Sequence, residues 1–378
     1  MNKALYRVLI KAVPVPKLQF NAWTGFTPDA ARTERLLSVL RRERVQGGVI
    51  ALTNRNRQHT SAAFGCDRMH NRTPAEAGHY FRCASISKFV TAAGVLRLAA
   101  AGIIDLDRDI GEYLRFPVRH PSAAEQPITL RQLLAHRAGI RDGAGYQGAL
   151  THAVPLEKLL KQQDNFTEHL PGDAFEYTNF GAGLIGSVLE AALDKPFETV
   201  MRESILDPAG VQATYLPQRV PGLLADAWRL MPPARTPNYN SEERIARPLP
   251  QPETEPQRDY LTAHGGLCAT AEELLRIAEL TQSDPACQGM RIPLSDFEER
   301  DPHLREGLGC FIYQDPALPF PLYGHQGLAY GAVHGLFFRD DPAADGITGF
   351  ALLTSSASEQ RKGVITALNR DVARAVLG

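Results

Sequence analysis

Apolar residues recur at helical spacing over residues 29 to 45 (DAARTERLLSVLRRERV), which predicts an amphipathic helix with Arg41-Arg42-Glu43-Arg44 on its solvated face. Two β-type runs follow, Gly47 to Thr53 (GGVIALT) and a weaker one near Thr60 to Phe64, with polar Asn54 to Gln58 as the turn between them. From Ser85 to Ala101 the pattern is helical and apolar on nearly every side, through Phe89, Val90, Ala93, Val95 and Leu96. Such a helix is expected in the interior, and Gly102 is placed to end it.

Residues 105 to 230 read as helical segments punctuated by Pro and Gly, among them Leu130 to His136 and Gly183 to Leu193. The stretch from Pro232 to Gln257 is the most proline-dense and polar part of the chain, and is expected to be a long surface loop. Thr270 to Leu280 predicts an amphipathic helix opened by a capping box, Thr-Ala-Glu-Glu. Strands are then expected at Gly307 to Tyr313, Ala332 to Arg339 and Gly349 to Thr354, with a closing helix over residues 359 to 377.

This order predicts an α/β (α+β) fold: an antiparallel sheet flanked by N- and C-terminal helices, with an all-helical domain inserted between its halves. The expected division is an N-terminal extension at 1–27, an α/β domain from 28–107 and 268–378, and an inserted helical domain at 108–267 that carries the 232–257 loop.

Composition narrows the function classes. A net charge of -1 gives no overall pull toward nucleic acid or anionic lipid. The five cysteines are scattered without a Cys-x-x-Cys pair, which argues against a disulfide framework or structural zinc and fits a reducing compartment. The eleven histidines show no His-x-His or His-x-x-x-His spacing, so a metal-dependent hydrolase finds little support. No run approaches the roughly 18 apolar residues of a membrane span. The opening MNKALYRVLIKAVPVPKLQF is cut by Arg7 and Lys11 and lacks a cleavage site, so the expected location is cytoplasmic.

Three short motifs carry candidate chemistry. The first is Ser85-Ile86-Ser87-Lys88, the one Ser-x-x-Lys in the chain, at the start of its most apolar helix. Residues three apart on a helix share a face, so Lys88 can reach Ser85. A serine hydroxyl needs a base to become a nucleophile. A lysine serves as one when burial and the positive helix start lower its pKa. Ser87 has Val90 three residues on and reads as structural. The second motif is Tyr177-Thr178-Asn179, the one tyrosine followed two residues later by Asn. A tyrosine beside a cation loses its proton more easily and can shuttle it, and Asn supplies a donor and an acceptor. The third is His-x-Gly, found at His325-Gln326-Gly327 and at His264-Gly265-Gly266. His325 lies between two expected strands and is preferred, on an edge strand where Gly327 lets a substrate backbone approach. His264 precedes a helix and is the lesser candidate, for a supporting place.

Together these motifs resemble the serine β-lactamase and penicillin-binding-protein superfamily, most closely its class C β-lactamase and DD-peptidase-like branch. The segments ITLRQLLAHRAGI (Ile128 to Ile140), YTNFGAGLIGSVLEAALDKPF (Tyr177 to Phe197) and HGGLCATAEELLRI (His264 to Ile277) extend the resemblance over roughly residues 30 to 375. It implies a β-lactamase/transpeptidase-like fold and an acyl-enzyme at Ser85, with Lys88 as base and Tyr177 as partner base and relay. Asn179 holds substrate and lysine, and His325 is a polar, partly cationic wall beside Gln326 and Gly327. The backbone N–H groups of Ser85 and Leu328 form the oxyanion hole. No cofactor or metal is implied. The expected partner is a small ester, amide or peptide substrate. Gln326 and His325 replace the hydroxyl residue and lysine common in true β-lactamases, which favours an esterase or D-type peptidase. The alternatives are a class C-type β-lactamase and a penicillin-binding scaffold protein that acylates without useful turnover.

Overall fold

The computed structural model describes residues 3–68, 72–150, 154–231, 260–297, 300–340, 346–361 and 363–378, so the expected 232–257 loop lies outside the described residues. Twelve strands lie among them: β1 Gly47–Asn54, β2 His59–Gly65, β3 Phe81–Arg82, β4 Arg119–His120, β5 Ala123–Pro127, β6 Cys268–Ala269, β7 Ser295–Phe297, β8 Asp301–Glu306, β9 Phe311–Tyr313, β10 Leu322–Ala329, β11 Ala332–Phe338 and β12 Ile347–Ser356. Eight of these form one sheet in the order β2-β1-β12-β11-β10-β9-β8-β7, with antiparallel neighbours throughout. The sheet therefore draws on both ends of the chain. The segment between contributes helices and the small β3–β6 and β4–β5 pairs.

Alternation along the strands builds two cores. Val49 and Ala51 of β1, Leu336 and Phe338 of β11 and Leu353 of β12 pack with the Ile86–Ala100 helix on one face. Ile50, Leu52, Val333, Phe337 and Leu352 point the other way, against helices Ala30–Arg42 and Ala367–Leu377. Each fully buried aliphatic side chain contributes about 1.5–3 kcal/mol, so a one-residue register slip would exchange both sets at once. The exposed edge of β2 is covered by the N-terminal segment, where Asn21 and Thr24 donate to the carbonyls of Ala63 and Ser61 at 3.0 Å each. No helix among the described residues is long and apolar enough to cross a membrane.

Two expected elements are placed differently, and one strand was not expected. Gly307 to Tyr313 is the end of a hairpin rather than one strand: Gly309 takes a φ of +66° and the Gly307 N–H donates to the Cys310 carbonyl at 2.9 Å, turning β8 into β9. The polar run preceding it, with Pro302, His303 and Arg305 exposed and Leu304 and Glu306 buried, is a strand whose pairing the local pattern hid. The closing helix begins at Ala367, where the Thr366 hydroxyl accepts from Asn369 N–H. The expected capping box at Thr270 and Glu273 is present, with both reciprocal bonds.

His59 ties β2 to the Ala271–Ser283 helix. Its Nε2 lies 2.8 Å from Glu279 Oε1 and its Nδ1 3.7 Å from Glu272 Oε1. The Glu272 and Glu279 carboxylates raise its pKa from 6.5 to about 9, against the cost of partial burial. A raised folded-state value stabilises fully below about 6.5, and that contribution disappears as pH rises through about 9. His59→Gln is expected to cost about 2 kcal/mol at pH 6 in urea unfolding, and far less at pH 10. Equal losses at the two pH values would refute the clamp.

Candidate active site

The nucleophile candidate sits at a turn that several elements fix. β3 leads from Phe81–Arg82 into Cys83, whose N–H donates to the Leu267 carbonyl at 2.7 Å. Ala84 then takes a left-handed φ of +49°, an unusual conformation for a residue with a Cβ. Ser85 follows as N-cap of the Ile86–Ala100 helix, and its side chain makes no capping bond, so the hydroxyl is available. Ser87 holds this turn in place: its Oγ donates to the Ala84 carbonyl at 2.6 Å and accepts from Leu267 N–H at 3.0 Å.

Lys88 is buried at 4% exposure, and its Nζ meets three oxygens: Ser85 Oγ at 3.0 Å, Asn179 Oδ1 at 2.9 Å and the His264 carbonyl at 3.0 Å. The last two accept only. A neutral amine would give them its two hydrogens and turn its lone pair toward the Ser85 hydroxyl. The Asn179 amide orientation is itself determined, because Nδ2 donates to Asp142 Oδ2 at 2.9 Å and a carboxylate can only accept. Burial lowers the Lys88 pKa from 10.5 to about 7, opposed by the charges of Asp142 and Glu306.

Asp142, which the sequence patterns did not single out, organises the second motif. Its Oδ1 accepts from the N–H groups of Asn179 and Phe180 at 2.8 Å each and from Thr178 Oγ1 at 2.6 Å. It thus satisfies the free N–H groups at the start of the Asn179–Leu193 helix, four residues before the expected start. Asp142→Ala leaves those donors unpaired. It is expected to cost about 2–3 kcal/mol in urea unfolding and to slow acylation of Ser85. An unchanged melt and rate would remove Asp142 from the site's support.

Tyr177 packs at a tilt against His136 with ring centroids 4.5 Å apart and lies 5.1 Å beneath Lys88 Nζ, beside Ser85. Burial raises its pKa, with Glu306 and Asp142 adding to the rise. The neighbouring Ser85 hydroxyl and the Arg361 guanidinium pull it down by less. The expectation of a readily deprotonated tyrosine is therefore corrected: Tyr177 is a phenol at neutral pH.

The third motif behaves differently from its expectation at two positions. His325 is fully buried, stacked on Phe311 at 4.1 Å, with Nδ1 2.6 Å from the Gln326 carbonyl and Nε2 without a hydrogen-bond partner among the described residues. Burial, aided by Lys88, lowers its pKa to about 3, so the wall it provides is neutral rather than partly cationic. Gln326 faces away from the site, as strand alternation requires. Its amide binds the Val364 carbonyl at 2.8 Å, Thr366 N–H at 3.0 Å and Asn369 Nδ2 at 3.3 Å, so it anchors the C-terminal helix. Gly327 is required by the chain itself, since a Cβ there would lie 2.2 Å from the Cys83 carbonyl oxygen. β10 is not an edge strand; it pairs with β11 along its length, while β9 reaches only from Leu322 to Gly324. Leu328 continues β10 beyond Gly327, opposite Val333.

His264, the lesser candidate, supplies a lysine acceptor through its backbone, and its Nε2 lies 2.9 Å from Tyr146 Oη.

Comparison with known proteins matches the chain to relatives along most of its length. The esterase EstB of Burkholderia gladioli is 25% identical over 389 residues, covering 92% of this chain and 97% of the esterase. EstCE1, a hydrolase with promiscuous acyltransferase activity, superposes with a TM-score of 0.71 at 21% identity, covering 92% of this chain and 99% of that one. The D-amino acid amidase of Ochrobactrum anthropi SV3 superposes at 0.67 with 19% identity, covering 91% and 97% of the two chains. These superpositions show the fold that holds Ser85, Lys88 and Tyr177. The Beta-lactamase family profile spans residues 31–374, every element of the site included, and the chain belongs to that family.

Proposed function

We propose that this protein is a serine hydrolase that cleaves an ester or amide through an acyl-Ser85 intermediate. The observation that carries the reading is the environment of Lys88, an amine with two fixed acceptors and its remaining direction toward Ser85 Oγ. With its pKa lowered to about 7, the lysine is available as free base at neutral pH.

In this reading Ser85 Oγ attacks the substrate carbonyl while its proton passes to Lys88 Nζ. The backbone N–H groups of Ser85 and Leu328 face the developing oxyanion. The phenol of Tyr177 protonates the leaving alcohol or amine and is reprotonated from the Lys88 ammonium, which returns the lysine to its free base. Water then attacks the acyl carbonyl, its proton passing back through Tyr177 and Lys88 to Ser85 Oγ. Asn179 orients Lys88 and offers an amide to the substrate. The residues from 108 to 267, as an inserted domain, supply Tyr177, Asn179 and Asp142 to a site whose nucleophile belongs to the α/β domain.

A neutral His325 and a Gln326 turned away leave the third motif without a cation for a substrate carboxylate. This supports esters or D-amino-acid amides over penicillins, in line with the names of the esterase and amidase relatives. The test is a panel of p-nitrophenyl esters, D-amino-acid amides and nitrocefin, with mass spectrometry of the Ser85 peptide. Turnover of an ester or amide through a trapped acyl-Ser85 is expected. Acylation without turnover would make the protein a binder, and efficient nitrocefin hydrolysis would overturn the substrate assignment.

A further inference from the structure

Glu306 closes β8 at full burial, and neither of its carboxyl oxygens has a hydrogen-bond partner among the described residues. A buried, unpartnered carboxyl is costly unless something offsets its charge. His136 Nε2 stands 3.6 Å from Oε1, too far for a direct hydrogen bond. His136 is neutral, held so by burial and by Lys88. Its Nδ1 accepts from Thr178 N–H at 3.3 Å, so the single ring proton is on Nε2, directed at Glu306.

The turn after Glu306 rests on the nucleophile helix. A Cβ added at Gly309 would meet Ala92 Cβ at 2.4 Å and the Lys88 carbonyl oxygen at 3.3 Å. Lys88, His136, Thr91 and Gly309 line one small cavity, and the Tyr177 ring lies between the first two, 4.5 Å from the His136 ring and 5.1 Å from Lys88 Nζ, so the lysine and the histidine that backs Glu306 share one space. The other groups around it do not compensate Glu306. His325 on β10 and the Cys310 thiol at the start of β9 are uncharged, as is Tyr177. Asp142 is occupied by four hydrogen bonds at the helix start, and Arg291 is paired with Asp340 at 2.8 Å. Lys88 is the cation that remains.

We propose that Glu306, backed by His136, is a positioning residue that shares one proton with Lys88 and so sets when the amine can accept the proton of Ser85. The proposal rests on the serine-hydrolase reading for its consequence, though not for its chemistry. Ammonium with carboxylate, and amine with carboxylic acid, contain the same protons and differ only in which group holds one. Burial pushes the two groups toward each other, Lys88 down to about 7 and Glu306 up, so the two arrangements draw together in free energy.

Glu306→Gln keeps the shape and removes the ionisation. The acid limb of Ser85 labelling by a fluorophosphonate is expected to move to lower pH by about one unit, because the amine loses the carboxylate that retains its proton. Infrared titration of wild-type protein carrying 13C-glutamate gives a second readout that needs neither turnover nor the variant. A protonated-glutamate band is expected to persist well above the ordinary value of about 4.3. A Glu306→Gln profile superimposed on wild type, or absence of that band, overturns the proposal. Failure of wild-type Ser85 to label at any pH would instead sink the hydrolase reading, and the infrared band would then decide this one.

Discussion

Ser85→Ala is expected to abolish fluorophosphonate labelling and to lower turnover on the order of 10⁶-fold, the scale of losing a nucleophile that works as a unit with its base. The half-buried hydroxyl makes no capping bond, so its removal leaves the helix start intact. Stability should change by no more than about 1 kcal/mol, since the substitution removes one hydrogen bond to Lys88 Nζ and leaves its two other acceptors in place. That separation matters, because a folded and silent variant isolates chemistry from structure. Full labelling of the alanine variant would show that another residue is modified. Ser87 is a poor substitute, since its hydroxyl is committed to Ala84 and Leu267.

Lys88 carries the second large effect. Lys88→Arg places a guanidinium that cannot give up its proton where a base is needed. A loss of about 10²–10⁴ in kcat is expected, the usual contribution of a general base, and wild-type rates would refute the role. In wild type, activity should rise with pH through about 7 as the ammonium becomes the amine. Stability gives an independent check with its own sign. The folded-state value of about 7 lies below the ordinary 10.5, so the unfolded chain binds more protons between those limits. Stability should therefore increase with pH across that window as far as this group is concerned. Lys88→Met removes the cost of burying the amine, and is expected to melt at or above wild type at pH 7 while remaining inactive. A lower melting point would mean that the three Nζ hydrogen bonds outweigh desolvation.

The three-oxygen cradle explains why a lysine can serve here at all. Asp142 fixes the Asn179 amide, the amide fixes the amine, and the amine is left facing Ser85. Each link is a donor meeting an atom that can only accept, so the orientation follows from hydrogen-bond capacity alone.

Much of this protein was determined by local sequence. The apolar helix behind Ser85, the apolar β-type runs of β1 and β12, and the Thr270 capping box are short-range patterns, and each produced its expected element. Ser-x-x-Lys was legible for the same reason, because three-residue spacing on a helix brings two side chains together whatever surrounds them. Other features depend on partners distant in the chain. Asp142 meets Asn179 across 37 residues, and Glu306 meets His136 across 170, so no window of sequence could associate them. Charge states belong to this second class. Whether His325 is a cation or Tyr177 a base is decided by burial, which tertiary packing alone creates and which favours the neutral form of both. Strand parity likewise turned Gln326 away from the substrate and toward the last helix, although it lies beside two residues of the site. The sequence by itself named the nucleophile and its lysine; the tertiary structure decided their protonation and their support, because only the assembled core excludes the water that would otherwise level every pKa.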